Sequence, residues 1–534
     1  MRWLVLVCAC LASVVLGAPS ATAQPTLRAE VAARLPYARV ASQGLQMWLN
    51  PPDGSLLSGA PAHSSSPSFG SNVDAANPQE DTAGGQSEEA IAAAPGGRLL
   101  VAWNDITGIM FSPTSRAGSI TGVGYSSDGG ARFRDLVGLP NSNQDQQWSG
   151  DPTIVAIDGG AHFIVGSLYA PSFNACFDGR PSMFTVALSV ATKTASGMSF
   201  TKPILVDRPG DLCKLFTRRP PANIALLDKE WLSWDQGSRT LAVSYSRDFL
   251  TGRHTGAGQV EIKRAHVPAN PARLTTAAFG APIVVAPEQF QVQTGAYVTV
   301  APGGASYVAW ERNIVSNIGD GDPYIYEHVA LVPAGASAPT VGGPGHPVVV
   351  TRGQAHNVGG GVRSLDGQCI AGYNRCIGND FPRIVYDAPL GRVIVEWNDA
   401  SHHPLGDVWM RSYTNALAAD SPVVRVNDDS DYTMHMLPAV SVRGDGSICS
   451  SWYDRRLWGA SSATTDYYGE CRSSPTANGA DFRITTGATD WTNTSTAIVP
   501  NFGDYTDQTS VGGVTYFTWA DGRVGVPQPF VDHR

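Results

Sequence analysis

Residues 91–105 read IAAAPGGRLLVAWND, two short apolar runs joined by a Pro-Gly-Gly turn and followed by Trp and an acid. Apolar runs of this length, divided by a turn signal, predict a pair of short strands. The same pattern recurs along the chain. The clearest further copies are residues 298–312 (VTVAPGGASYVAWER), 384–399 (IVYDAPLGRVIVEWND), 438–454 (PAVSVRGDGSICSSWYD) and 509–521 (TSVGGVTYFTWAD), and looser copies are residues 152–169 and 231–248.

Each copy opens a longer unit that closes with two further strands. The fourth strand often begins at a proline followed by β-branched residues, as in PVVV at 347–350. Seven such units predict an all-β propeller of seven four-stranded blades, with six blades as the alternative. The last unit ends after about three strands, so we expect a fourth strand from residues 24–50 to close the ring and remove the free sheet edge.

The first residues predict a secretory signal. Arg2 precedes an apolar run over residues 3–17, and Ala-Thr-Ala at 21–23 is an A-x-A cleavage site. We therefore expect a signal peptide at 1–23, a secreted or periplasmic protein, and no membrane span elsewhere. Residues 24–87 form an N-terminal segment with a Ser-, Pro- and Gly-rich linker that could donate the closing strand, and residues 88–534 form the propeller.

The net charge limits the classes of partner, and the cysteine content indicates the cellular compartment. A net charge of −9 argues against a nucleic-acid partner, because little would neutralise phosphates. We expect a monomer that binds carbohydrate or a glycoconjugate. Six cysteines remain after the signal, and an even number in an exported chain predicts disulfides. Sequence order suggests the pairs Cys176 with Cys213, Cys369 with Cys376, and Cys449 with Cys471.

Residues 126–133, SSDGGARF, match the pattern S-x-D-x-G-x-x-[FW]. This motif, with the blade pattern over residues 88–534, resembles the Asp-box of the sialidase (neuraminidase) superfamily, also called BNR-repeat propellers. The resemblance implies an exported glycoside hydrolase that acts on an acidic glycan as an exo-sialidase does. Such enzymes use an arginine triad for the substrate carboxylate, an Asp acid/base, and a Tyr nucleophile activated by a Glu. Their F/Y-R-I-P motif is absent near the N-terminus here, and residues 381–384 read FPRI.

Candidate site residues lie where the first strand of a blade begins and the second ends, because these points share one face of a propeller. The acid that follows the recurring Trp is expected to be structural, since it repeats from blade to blade. Polar residues that do not repeat are the better candidates. The predicted catalytic residues are Tyr505, Glu230, Asp151, Glu89 and His435, and the predicted substrate-binding residues are Arg383, Arg456 and Arg523.

Two other functions stay open at this point. The incomplete arginine signature also suits a non-catalytic propeller that binds a glycan or a protein. A uronate polysaccharide lyase could use His435 or Tyr505 as the base and Arg383 to neutralise the uronate carboxylate. We expect no cofactor and assign no metal ligands, although the acid-rich stretches 317–322 (NIGDGD) and 427–431 (NDDSD) could hold Ca²⁺.

Overall fold

The computed structural model describes residues 26–35, 41–52, 70–76, 85–177, 179–195, 197–290, 292–313, 324–343, 348–354, 372–373, 381–400, 405–429, 433–496, 498 and 501–534. Two short helices and a short strand precede the repeated part of the chain. They are α1 (Leu27–Ala32), α2 (Gln43–Leu49) and β1 (Val73–Asp74).

Seven antiparallel sheets follow one another along the chain and form the seven blades of a propeller, as the sequence predicted. Blade 1 comprises β2 (Gln86–Ala94), β3 (Arg98–Asp105), β4 (Thr121–Ser126) and β5 (Arg134–Gly138). Blade 2 comprises β6 (Gln146–Trp148), β7 (Thr153–Ile157), β8 (His162–Pro171), β9 (Thr185–Thr194), β10 (Gly197–Phe200) and β11 (Ile204–Leu205). Blade 3 comprises β12 (Ala225–Asp235), β13 (Thr240–Phe249), β14 (Gly258–His266) and β15 (Ile283–Gln289).

The remaining four blades repeat this order. Blade 4 comprises β16 (Val292–Val300), β17 (Ser306–Asn313), β18 (Tyr324–Val332) and β19 (Val348–Gln354). Blade 5 comprises β20 (Arg383–Asp387), β21 (Arg392–Asp399), β22 (Asp407–Thr414) and β23 (Val424–Arg425). Blade 6 comprises β24 (His435–Val442), β25 (Ile448–Asp454), β26 (Thr464–Arg472), β27 (Phe482–Arg483) and β28 (Thr489–Asp490). Blade 7 comprises β29 (Asp507–Val511), β30 (Val514–Asp521), β31 (Gln528–His533) and β1.

The second strand of each blade supplies much of the core. In β3, residues Leu99 to Trp103 are all fully buried, because both faces of the blade pack against neighbouring blades. The recurring Trp is buried in the same way at each clear copy of the repeat. These residues are Trp103, Trp310, Trp397, Trp452 and Trp519. Burial of an aromatic side chain of this size is a large apolar contribution, so the repeated Trp holds the blades together.

The ring closes through the N-terminal part of the chain, but not where the sequence suggested. Strand β1 pairs with β31, placing Val73 opposite Val531 and Asp74 opposite Phe530. The expectation that residues 24–50 donate this strand is therefore wrong. The described part of that segment is helical instead, and Ser42 caps α2 by accepting a hydrogen bond from the Leu45 amide.

Local features that the sequence predicted are also present. Disulfides join Cys176 to Cys213 and Cys449 to Cys471, and the predicted Cys369–Cys376 pair lies outside the described residues. Residues 126–133 form the turn between β4 and β5. There the Asp128 carboxylate accepts a hydrogen bond from the Arg132 amide at 3.0 Å. None of the helices in the described ranges is long and apolar enough to cross a membrane.

Candidate functional site

A cavity of about 300 Å³ lies on the propeller axis, and all seven innermost strands line it. One lining residue from each blade, in order, is Ala92, Val155, Ser233, Val298, Ile384, Ser441 and Thr509. We call the end of this channel where the innermost strands begin the mouth. Of the predicted site residues, Arg383 lines the cavity itself.

The innermost strands are bulged near the mouth. Register shifts interrupt β2, β12, β16 and β24 close to their first residues. In blades 1 and 3 the residue inside the bulge has a positive φ although it is not glycine: Glu88 at 56° and Lys229 at 56°. Asp151, between β6 and β7, has a φ of 55°. Left-handed backbone at non-glycine residues is unfavourable and tends to concentrate at functional sites, so these three charged residues mark the mouth.

These side chains form one buried charged cluster. Lys229 Nζ lies 2.5 Å from Asp504 Oδ2, and both side chains are almost completely buried. Glu88 extends the cluster because its Oε1 accepts a hydrogen bond from the Asp504 amide at 2.9 Å. Its Oε2 accepts one from Asn104 Nδ2 at 2.8 Å. The cluster therefore connects blades 1, 3 and 7 across the mouth.

Burial and mutual repulsion shift the ionisation of the acids in this cluster. Burial, followed by the charges of Asp151 and Asp504, raises the pKa of Glu88 well above its usual value. Burial and Asp151 raise the pKa of Asp228 to about 6, against the opposing effect of Lys229. Burial alone would lower the pKa of Lys229, but the surrounding carboxylates raise it. The mouth thus holds a permanent cation beside carboxyl groups that can carry protons near neutral pH.

Arg383 lies in the channel wall next to this cluster. Its guanidinium carbon is 4.3 Å from the ring centre of Trp231 and 4.2 Å from that of Tyr297. Nη2 pairs with Asp507 Oδ1 at 3.1 Å. A guanidinium held between two aromatic rings suits binding of an anionic or hydroxyl-rich group.

Tyr505 and Arg383 pack against the same indole ring, that of Trp231. The Tyr505 and Trp231 ring centres are 5.8 Å apart, and the Tyr505 hydroxyl donates to the Pro152 carbonyl at 2.8 Å. Burial and nearby acids, Asp151 and Glu230 among them, raise the pKa of Tyr505 well above its usual value. Neither carboxylate oxygen of Glu230 receives a hydrogen bond from another described residue, and burial raises its pKa.

The other predicted catalytic residues lie apart from this group. Glu89 is fully buried without a hydrogen bond from another described residue, and burial and the charge of Asp521 raise its pKa. His435 is buried between blades 5 and 6. Its Nδ1 is 3.0 Å from the Gly406 carbonyl and its Nε2 is 3.0 Å from Asp429. Burial alone would lower the pKa of His435, but Asp429 and Asp454 raise it.

Arg456 and Arg523 occupy equivalent places in blades 6 and 7. The Asp two residues earlier accepts a hydrogen bond from the indole of the recurring Trp and pairs with the arginine. The two sets are Trp452, Asp454 and Arg456, and Trp519, Asp521 and Arg523. These contacts agree with the expectation that the repeated acid is structural. They place neither arginine beside Arg383, so the described residues assemble one arginine at the mouth rather than three.

The N-terminal helix α2 lies directly over the mouth. The Ser42 amide donates to Asp228 Oδ2 at 3.1 Å, and the Gly44 amide donates to Asp151 Oδ1 at 2.8 Å. Gln43 Oε1 accepts hydrogen bonds from the Ser87 hydroxyl at 2.7 Å and from Asn104 Nδ2 at 2.5 Å. Ser42, Gln43 and Gly44 are all buried. The acids at the mouth are therefore covered by the chain itself.

Two acid-rich stretches were considered as Ca²⁺ sites. Residues 317–322 lie outside the described ranges. In the 427–431 stretch, Asp428 and Asp429 pair with Arg456, and Asp429 also pairs with His435. Across the part of the chain that the structure describes, no group of three or more His, Cys, Asp and Glu side chains is arranged as a metal site.

Sequence reasoning missed several residues that shape the mouth. Trp231 and Tyr297 follow the bulges of β12 and β16, and both contact Arg383. An aromatic residue directly after a polar bulge was an available signal. Gln43 and Asn104 lacked any such signal, because their contacts join segments 61 residues apart in sequence.

The sequence matches no protein-family model and no curated protein. Similar solved structures include a Hadza microbial sialidase (9% identity, 79% of this chain and 74% of that chain, TM-score 0.41). An α-L-arabinanase of Penicillium chrysogenum is 11% identical over 75% of this chain and 93% of that chain, with a TM-score of 0.40. A Trypanosoma rangeli sialidase is 11% identical over 84% of this chain and 53% of that chain, with a TM-score of 0.40. Identities this low concern the fold alone.

Proposed function

We propose that this protein acts on an acidic glycan as a glycoside hydrolase, with the channel mouth as its active site. The observation that supports this proposal is the position of Arg383 in the channel wall, where Arg383 and Tyr505 both pack against Trp231. The arginine would bind a sugar carboxylate, because a guanidinium matches that group in charge and geometry.

The carboxyl groups of the mouth supply the acid and base functions that glycoside cleavage needs. Such enzymes divide the two roles between acids whose environments separate their pKa values. Glu230 and Glu88 have raised pKa values and can donate a proton to a leaving oxygen. The Tyr505 hydroxyl donates to the Pro152 carbonyl and its pKa is raised, so we assign it no nucleophilic role.

A non-catalytic glycan-binding propeller is the second candidate. It is favoured by the ion pairs that hold Arg456 and Arg523 inside their own blades, which leave Arg383 as the arginine at the mouth. The lyase alternative receives less support, because His435 lies between blades 5 and 6, apart from Arg383, and its ring faces the Gly406 carbonyl and Asp429.

A panel of sialosides and uronate oligosaccharides tests the proposal, with binding and product release measured separately. The purified protein is compared with the variants Arg383→Met and Glu230→Gln. Each is measured with the N-terminal segment that carries α2 in place and again after this segment has been cut and removed. We expect Arg383→Met to reduce kcat/KM by about 100-fold, which corresponds to about 2.7 kcal/mol. Glu230→Gln should reduce kcat more than it changes KM. Binding without turnover in any form would favour the second candidate, and neither binding nor turnover would refute both.

A further inference from the structure

We propose that the N-terminal segment, residues 26–35 and 41–52, is an intramolecular occupant of the mouth that must leave before a ligand reaches the acids there. Its regulatory meaning rests on the proposed function, because it concerns access to the same site. That the segment shields the acids and can be displaced does not depend on which substrate the protein uses.

The contacts at the mouth resemble those of a bound ligand. Two backbone amides of the segment, those of Ser42 and Gly44, donate to the carboxylates of Asp228 and Asp151. Gln43 adds a side-chain amide oxygen that accepts from Ser87 and Asn104. These are the polar contacts that hydroxyl and amide groups of a glycan would make with the same side chains.

Gly44 fits the mouth so closely that a side chain would not be accommodated. A Cβ at this position would lie 2.4 Å from the Ser149 carbonyl oxygen and 2.7 Å from Asp151 Oδ1. Glycine is otherwise unfavourable within a helix. Its presence in α2 therefore reflects the close approach of the helix to the mouth.

The segment satisfies the acids only in part. Asp228 Oδ1 is buried and has no hydrogen-bond partner among the described residues. A buried acceptor without a donor destabilises the folded state. A permanent structural cap would be expected to satisfy both oxygens of each carboxylate, whereas a displaceable occupant needs only to compete with the true ligand.

The segment is held mainly by contacts away from the mouth. Trp48 donates its indole N–H to the Pro171 carbonyl at 2.8 Å and packs edge-on against Phe184, with ring centres 5.2 Å apart. Leu27 and Val31 of α1 join the same apolar cluster. These contacts lie on blades 2 and 3. The contacts of the segment with the mouth can therefore be broken separately from the contacts that anchor it.

The experiment measures the accessibility of the mouth acids without any glycan. A specific protease site is inserted within residues 53–69 of the full chain, and the segment is then cut and separated by size exclusion. Carboxyl groups are labelled with a carbodiimide and glycinamide and are quantified by mass spectrometry. We expect labelling of Glu88, Asp151 and Asp228 to rise at least tenfold after release, and an added peptide of residues 26–52 to reverse the gain.

Gly44→Ala provides a second, uncut variant. Alanine favours the helix but cannot fit against Ser149, so α2 should withdraw from the mouth and labelling of Asp151 should rise. Asn50→Ala, at the exposed end of the same helix, is the matched control and should leave labelling unchanged. If the cut segment stays bound, the cut is repeated in the Gly44→Ala background.

Each outcome decides the proposal. High labelling of the intact protein, unchanged labelling after release, or release only on unfolding of the blades would overturn it. Increased labelling with no glycan bound or cleaved would uphold the occupant and refute the proposed function. Increased labelling together with new turnover would uphold both.

Discussion

Lys229 and Asp504 meet across the mouth of the channel, with Nζ 2.5 Å from Oδ2 and both side chains buried. Lys229 lies on the innermost strand of blade 3, and Asp504 lies just before that of blade 7. The pair therefore links distant blades directly through the axis of the ring.

Replacing Lys229 by Met should lower stability by about 3–5 kcal/mol, because it leaves buried carboxylates without their cation. The loss should be smaller at pH 5 than at pH 8, since Asp228, whose pKa is raised to about 6, can then take up a proton. Thermal unfolding at the two pH values measures this. Lys263→Met is the control, because its partner Asp207 keeps Arg247. Equal losses in the two variants would contradict the prediction.

His435 should make stability depend on pH. Its pKa is raised in the folded state, so its contribution is complete below about 6.5 and is lost as pH rises through the folded-state pKa. We expect the unfolding midpoint of the wild type to fall between pH 6 and 8.5 more steeply than that of His435→Gln. Parallel slopes for the two proteins would show that Asp429 and Asp454 do not stabilise the charged ring.

Replacing Arg523 should affect stability, whereas replacing Arg383 should affect glycan binding. Arg523→Met removes an ion pair with Asp521 inside blade 7 and should lower the unfolding midpoint without changing glycan binding by the folded protein. Arg383→Met should weaken binding. Isothermal titration with the best ligand of the panel measures both. A matching loss of affinity in Arg523→Met would restore its predicted role in substrate binding.

The Cys449–Cys471 disulfide should stabilise blade 6. The two residues are paired on adjacent strands β25 and β26 and close a loop with a sequence separation of 22. A loop of this length corresponds to about 3 kcal/mol in the chain-entropy account. The double variant Cys449→Ala, Cys471→Ala should therefore unfold at a lower temperature, and added reductant should no longer affect this blade. An unchanged midpoint would show that strand pairing alone suffices.

The repeated half of the fold could be predicted from sequence because its signals are local. Alternating apolar residues, the turn, and the buried Trp recur within about fifteen positions, and each blade forms from consecutive strands. Asp151, Arg383 and Tyr505 could be selected for the same reason, since each lies next to the start of an innermost strand, whereas Glu230 lies in the middle of β12.

Neither the position of α2 over the mouth nor the hydrogen-bond partners of the mouth acids could be predicted, because both depend on contacts between distant segments. Helices of six and seven residues give little periodic signal. Gly44 meets Asp151 only in the folded chain. Arg456 and Arg523 are different: an Asp two residues before each arginine was a local signal that each would be paired within its blade.

Closure of the ring by β1 has a consequence for biosynthesis. Asn72 donates a hydrogen bond to Asp532, 460 positions later in the chain, and Val73 pairs with Val531 beside it. The strand made early therefore has no partner until residues near 531 have been synthesised. The first six blades can thus form as an open arc before the ring closes.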